Sequence, residues 1–171
     1  NFKRKTTICW QKINSLPISL SDKFIIIQPS AKNGNSSPKI WNPNNFIQFI
    51  KIFLDKYSNY KVILVGDQGD SKLLKYNNFK NKKVINLVGK TNFNQLCNVL
   101  NKSKLTICHD SGIMHICNAL EKPLIALYGP TDYTRTMPLS KNSRILFSKN
   151  KCFNKMYGFR FSEDELDKKY K

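Results

Sequence analysis

The stretch that decides the fold is Leu105-Thr106-Ile107-Cys108-His109-Asp110-Ser111-Gly112-Ile113-Met114-His115. Its first four residues form an apolar run of strand length. The residues after Gly112, continuing through Ile116-Cys117-Asn118-Ala119-Leu120, begin a helix. An Asp-Ser-Gly turn between the two puts a helix N-terminus directly above a strand end. Backbone N–H groups there carry partial positive charge and suit a phosphate or diphosphate. In open α/β sheets, ligands also bind outside the carboxyl ends of the strands.

Similar units lie on both sides of this stretch. Phe24-Ile25-Ile26-Ile27-Gln28 reads as a buried strand. A polar loop from Ser30 to Asn42 follows it. Asn42-Pro43 is a helix start, with Asn as N-cap and Pro at the first helical position. Phe46, Phe49, Ile50, Phe53, Leu54 and Tyr57 then recur at helical spacing and mark a core-facing stripe. Lys61 to Val65 is the next strand, and Ser71 to Tyr76 a short helix. Lys83 to Val88 is a third strand. Thr91 is expected to cap a helix carrying Phe93, Leu96, Val99 and Leu100. Pro123 to Tyr128 and Ser143 to Phe147 complete the set of strands. Apolar strands alternating with helices predict an α/β fold: a Rossmann-like parallel sheet with helices on both faces. Right-handed crossovers make this one domain, over residues 23–148. Residues 1–22 read as a linker or the end of a preceding domain. Residues 149–171 read as a polar tail with a helix near Ser162 to Tyr170. The chain starts at Asn1 rather than Met, so a fragment or a trimmed product is expected.

Composition narrows the function classes. The net charge is +18, from 29 Lys+Arg against 11 Asp+Glu. Such a balance attracts anions: a phosphorylated substrate, anionic lipid or nucleic acid. Arg stands only at positions 4, 135, 144 and 160, and the lysines are scattered. That pattern, with abundant Asn and Ile, also fits compositional drift, and it disfavours a nucleic-acid partner, which would draw more on Arg. The cysteines, Cys9, Cys97, Cys108, Cys117 and Cys152, are odd in number and lack C-x-x-C spacing. A disulfide framework or zinc site is not expected, and a reducing, cytoplasmic setting fits. No apolar run reaches bilayer length. Neither a P-loop nor a G-x-S-x-G elbow occurs. His109 and His115 do not share one helical face and lack an evident third ligand, so no metal is expected.

Several motifs stand at strand ends in a fixed order. They are Ile27-Gln28-Pro29-Ser30-Ala31; Lys39-Ile40-Trp41-Asn42-Pro43 with Phe46; Val65-Gly66 with Asp70; Leu87-Val88-Gly89-Lys90-Thr91; Asp110 to His115; and Tyr128-Gly129-Pro130-Thr131. With this order and spacing, residues 24–138 resemble the C-terminal half of glycosyltransferase family 9, the ADP-heptose:lipopolysaccharide heptosyltransferases. The resemblance implies one half of a GT-B fold, with the active site in a cleft between two domains. The N-terminal domain of that architecture holds the acceptor and the general base, so both are expected outside this chain. The chain departs from the family at three places. Gln28-Pro29-Ser30 stands for His-Pro-Gly, the Lys-x-Trp-Pro loop is one residue longer, and only Cys152 remains of a C-terminal cysteine-rich segment.

The resemblance implies a donor site made of Ser30, Lys39, Asp70, Thr91, Asp110, Ser111, Gly112, Met114 and His115. The amides from Ser111 to His115 would face the diphosphate; otherwise Asp110 or Ser111 caps an ordinary helix. Lys39 would supply the phosphate cation, or it is a solvated lysine. Ser30 would donate to a phosphate oxygen, or it is a turn serine. Asp110 would accept from a sugar hydroxyl. His115 would bond a phosphate or the sugar, or it packs under Tyr128. Asp70, or Asp67 in its place, would hold the ribose, or it serves the turn. Val88, Lys90 and Thr91 would line the base, and Gly129-Pro130-Thr131 the cleft rim.

The function implied is transfer of a heptose-like sugar from a nucleotide sugar, ADP-heptose, to a lipopolysaccharide-type glycolipid acceptor. The displacement would be inverting and metal-independent, with no cofactor beyond the donor substrate. Peripheral contact with an anionic membrane face would suit the charge. Two other classes remain open: a nucleotide-binding module without transferase activity, and a basic nucleic-acid-binding α/β domain.

Overall fold

A computed structural model describes residues 7–12, 23–30, 39–68, 81–129 and 131–147. The expected helix at 71–76, the expected helix at 162–170 and Asp70 lie outside the described residues.

The elements run β1 (Lys23–Ile27), α1 (Pro43–Lys56), β2 (Tyr60–Leu64), β3 (Val84–Asn86), α2 (Phe93–Lys102), β4 (Leu105–His109), α3 (Gly112–Ala119), β5 (Leu124–Tyr128), α4 (Tyr133–Thr136) and β6 (Ser143–Phe147). The strands form one sheet in the order β3-β2-β1-β4-β5-β6, and every neighbouring pair is parallel. From β1 the chain builds outward one way through β2 and β3. It then returns, and β4, β5 and β6 build the other way. The reversal falls between β1 and β4, where Ile27 is in register with Ile107. A crevice opens beyond the carboxyl ends of strands at such a switch point.

Both faces of β1 are buried, as a central parallel strand requires. Phe24 and Ile26 pack on one side with Val99 and Leu100 of α2 and Ile113, Met114 and Cys117 of α3. Ile25 and Ile27 pack on the other with Phe46, Ile50 and Leu54 of α1. Helix α1 starts as its sequence predicts. Asn42 accepts from the Asn44 amide at 2.9 Å and Pro43 occupies the first turn, a cap that stabilises by about 1 kcal/mol. Cys97, Cys108 and Cys117 are fully buried free thiols. Burial pushes the Cys117 thiol up to about 12 and raises the other two.

Three local expectations change. Strand β3 ends at Asn86 because Leu87 to Lys90 turns: the Lys90 amide donates to the Leu87 carbonyl at 3.0 Å and Gly89 has φ 69°. A Cβ at Gly89 would also stand 3.1 Å from the Gln68 backbone, so glycine is required twice over. The N-cap of α2 is Asn92, not Thr91; Asn92 and Gln95 form a reciprocal capping box that Thr91 has no partner to make. The four-residue helix α4 was not anticipated; it is a single turn capped by Asp132. In the segment read as a linker, the Gln11 amide donates to Asn94 Oδ1 near the start of α2.

On the α1 side of the sheet, beyond β1, a groove of about 550 Å³ lies between α1 and the outer strands. Phe46 and Phe49 form one wall, and Ile107, Ile125, Leu127 and Leu146 the floor. Lys39 and Trp41 stand at its edge next to the crevice.

Candidate functional site

The crevice is built by three segments: Gln28-Pro29-Ser30 after β1, His109 to Gly112 after β4, and Lys39 to Trp41 ahead of α1. All three residues after β1 are buried.

His109 holds the segments together. It is fully buried. The Trp41 amide donates to its Nε2 at 2.9 Å, so Nε2 is unprotonated and Nδ1 carries the hydrogen. Nδ1 then donates to the Ser30 carbonyl at 3.3 Å. Burial lowers the imidazole from 6.5 to about 4, and the Ser30 carbonyl offsets this only in part. The neutral ring packs edge-on against Phe46, which in turn meets Trp41. One side chain thereby ties the loop before α1 to both central strand ends.

That tie places Lys39. Its Nζ pairs with Asp110 Oδ2 at 2.9 Å. The lysine side chain is 34% exposed and the aspartate 9%, so the pair presents its cation to the crevice mouth.

Ser111 is the N-cap of α3, with the extended backbone of that position, φ −153° and ψ 171°. Its side chain makes no cap hydrogen bond. Its hydroxyl donates instead to Gln28 Oε1 at 2.5 Å. The first turn of α3 carries no acidic residue. A Cβ placed at Gly112 would meet nothing within 4 Å among the described residues. Two residues past Gln28, the buried Ser30 hydroxyl makes no hydrogen bond among the described residues; the Thr131 hydroxyl, in the loop after β5, is in the same condition. A buried unpaired hydroxyl costs about 1–3 kcal/mol unless a ligand or water satisfies it.

The expected site residues divide accordingly. Ser30, Lys39, Asp110, Ser111 and Gly112 come together at the switch point. Met114 is fully buried and accepts from the Tyr128 hydroxyl at 3.2 Å, so it offers the site its backbone alone. His115 is exposed on the first turn of α3 and does not pack under Tyr128. Thr91 is half-buried at the far side, beyond β3. Val88 is buried and packs in the core on the α1 side. Ser111 is the N-cap of α3, as the capped-helix reading has it, but its side chain makes no cap hydrogen bond. His109, Gln28 and the Thr131 hydroxyl were not anticipated in these roles. The one local signal was Gln28 itself, a polar side chain ending an otherwise apolar strand.

Among the described residues no group of three His, Cys, Asp or Glu side chains is placed to hold a metal, and no helix is long and apolar enough to cross a membrane.

Known proteins resemble this chain in sequence and fold. The chain is 30% identical over 138 residues to lipopolysaccharide heptosyltransferase 2 of Escherichia coli K12, covering 78% of this chain and 38% of that protein. It is 33% identical over 125 residues to lipooligosaccharide heptosyltransferase 2 of Haemophilus ducreyi, covering 69% and 35%. The solved structure of the E. coli ADP-heptose lipopolysaccharide heptosyltransferase II superposes with a TM-score of 0.66 at 30% identity, over 76% of this chain and 40% of that one. The chain thus spans well under half the length of these relatives. Residues 3–159 match the model of glycosyltransferase family 9 (heptosyltransferase). With that match over nearly the whole chain, and the same fold in a relative of known structure, this protein belongs to glycosyltransferase family 9.

Proposed function

We propose that this chain is the donor-binding half of a heptosyltransferase. It takes a nucleotide sugar, ADP-heptose, and stabilises the diphosphate as it leaves. The observation that carries this reading is the start of α3. The helix begins at a switch point with no side-chain cap and no acid in its first turn, beside a lysine and a buried unpaired hydroxyl.

The chemistry is an in-line displacement. A hydroxyl oxygen of the lipopolysaccharide-type acceptor bonds to the anomeric carbon of the heptose. The bond from that carbon to the diphosphate oxygen breaks, with inversion. The acceptor proton passes to a general base in the other half of the enzyme, and ADP leaves with the electron pair. Negative charge therefore grows on the diphosphate, and fixed donors aimed at it lower the barrier without a metal. The α3 amides contribute about 0.3–1 kcal/mol as a dipole, and up to about 2 kcal/mol when partly buried. Lys39 adds a charge-assisted contact and Ser30 a hydroxyl donor. Asp110 holds Lys39 with one oxygen and accepts a sugar hydroxyl with the other. His115 reaches the phosphate or sugar from the exposed side. The ends of β2 and β3, with Thr91 and Asp70, hold the nucleoside. The +18 charge favours the anionic membrane face where a glycolipid acceptor resides.

Ligand-detected NMR tests this. The chain is titrated with ADP, ADP-heptose, UDP-glucose and GDP-mannose, and again as Asp110→Ala and His115→Ala. Selective contact with ADP and ADP-heptose, weakened in both variants, is expected. A folded sample that contacts none of the four would overturn the reading. Equal contact with all four would leave nucleotide binding but remove the assigned donor.

A further inference from the structure

Four described helices begin with a residue able to cap, and three of them are capped by it. Asn42 accepts from the Asn44 amide, Asn92 from the Gln95 amide, and Asp132 from the Thr134 amide. Ser111 stands in the same position, also in the extended region though with φ −153° against −78° at Asn92, yet its hydroxyl caps nothing. A serine here ordinarily accepts from the second or third amide of the helix. The rotamer that reaches Gln28 Oε1 at 2.5 Å withholds the hydroxyl from those amides.

Gln28 is fixed for this task. It is 7% exposed, and its own amide donates to the Ile107 carbonyl at 2.9 Å, which locks it to β4. The space at Gly112, clear of the described residues, and the unpaired Ser30 hydroxyl mark the same crevice as one that accommodates a ligand.

We propose that Gln28 is a positioning residue for the diphosphate: by accepting the Ser111 hydroxyl hydrogen, it keeps Ser111 from capping α3 and leaves the first amides of the helix for the ligand. The inference rests on the donor-binding reading above. Without Gln28 the Ser111 hydroxyl turns to the helix and competes with the phosphate for the same N–H groups. The cost then appears in ligand affinity, while the fold gains a cap.

The test is ADP binding by calorimetry on the whole chain as wild type, Gln28→Leu and the double variant Gln28→Leu/Ser111→Ala, with amide NMR spectra of each. Gln28→Leu is expected to weaken ADP about tenfold, the worth of one charge-assisted hydrogen bond. Its melting temperature should not fall, and the Ile113 or Met114 amide should shift as a new cap bond forms. The double variant, which has no hydroxyl to compete, is expected to bind ADP more tightly than Gln28→Leu. A residue with a merely structural role cannot produce that recovery. Should Gln28→Leu fail to fold, Gln28→Met replaces it in both variants. ADP binding unchanged in the single variant, or no recovery in the double one, overturns the inference and leaves the donor site standing. Failure of the wild type to bind ADP overturns the donor reading, and the inference falls with it.

Discussion

Helices α2 and α3 begin alike and end up serving different ends. Each follows a parallel strand, and each has a short polar N-cap residue in extended conformation. At α2 the cap is complete: Asn92 accepts from the Gln95 amide, and the Gln95 side chain accepts from the Asn92 amide, both at 2.9 Å. At α3 the cap residue is turned away by a side chain 83 residues distant in sequence. The first helix satisfies its own amides. The second leaves them facing a crevice that also presents a lysine.

The largest effect expected on the α3 side comes from His109, which holds the crevice segments in place. Its imidazole titrates at about 4 when folded, against 6.5 when free. The unfolded chain therefore binds more protons between those values. The contribution of His109 to stability is complete above pH 6.5 and is lost as pH falls toward 4. From pH 7 to pH 5 the loss is roughly 2 kcal/mol. Urea unfolding across that range should show it. His109→Gln, which cannot titrate, should flatten the dependence, and an unchanged slope would remove His109 from this role.

Asn92→Ala tests the other half of the contrast. It is expected to cost about 1 kcal/mol in unfolding free energy, the usual worth of a cap. ADP affinity should fall less than in Gln28→Leu, because the diphosphate lies at α3 and only the nucleoside comes near this helix end. A loss as large as that of Gln28→Leu would erase the distinction between the two helices.

Gly112→Ala is the finest probe. A methyl group there meets no atom of the described residues within 4 Å, so the melting temperature should move little. It does enter the space before α3, and ADP affinity is expected to fall about threefold, or roughly 0.6 kcal/mol. Unaltered affinity would place the ligand elsewhere.

What was legible in the sequence follows the same division. The strands were readable because each is a compact apolar run, and α1 because Asn42-Pro43 and the Phe46-Ile50-Leu54 stripe declare it locally. The cap of α2 was readable in principle: Gln95 stands three residues after Asn92, and attention to that pair would have displaced Thr91. The Asp-Ser-Gly turn was readable as the end of β4 and the start of α3, since strand, turn and helix start are contiguous. The internal wiring of the site was not readable. The bonds from Ser111 to Gln28 and from His109 to Ser30 and Trp41 join residues 83, 79 and 68 positions apart. Only the strand order brings them together. Helix α4 was too short to show a period.

That strand order also sets when the crevice can exist. Strand β1 lies between β2 and β4, so its second edge waits while the whole β2-to-β4 excursion is made. Closing a loop the length of the Gln28–Ser111 separation costs about 4 kcal/mol in chain entropy before any contact offsets it. Contacts this distant slow folding and come late. A nascent chain that ends before Leu105 can pair β1 with β2 and β2 with β3, and it carries Gln28 to Ser30 and Lys39 to Trp41, yet it lacks His109 to Gly112, the third segment of the crevice. Nucleotide binding would therefore report that the central seam of the sheet has closed, and added nucleotide would favour molecules in which it has.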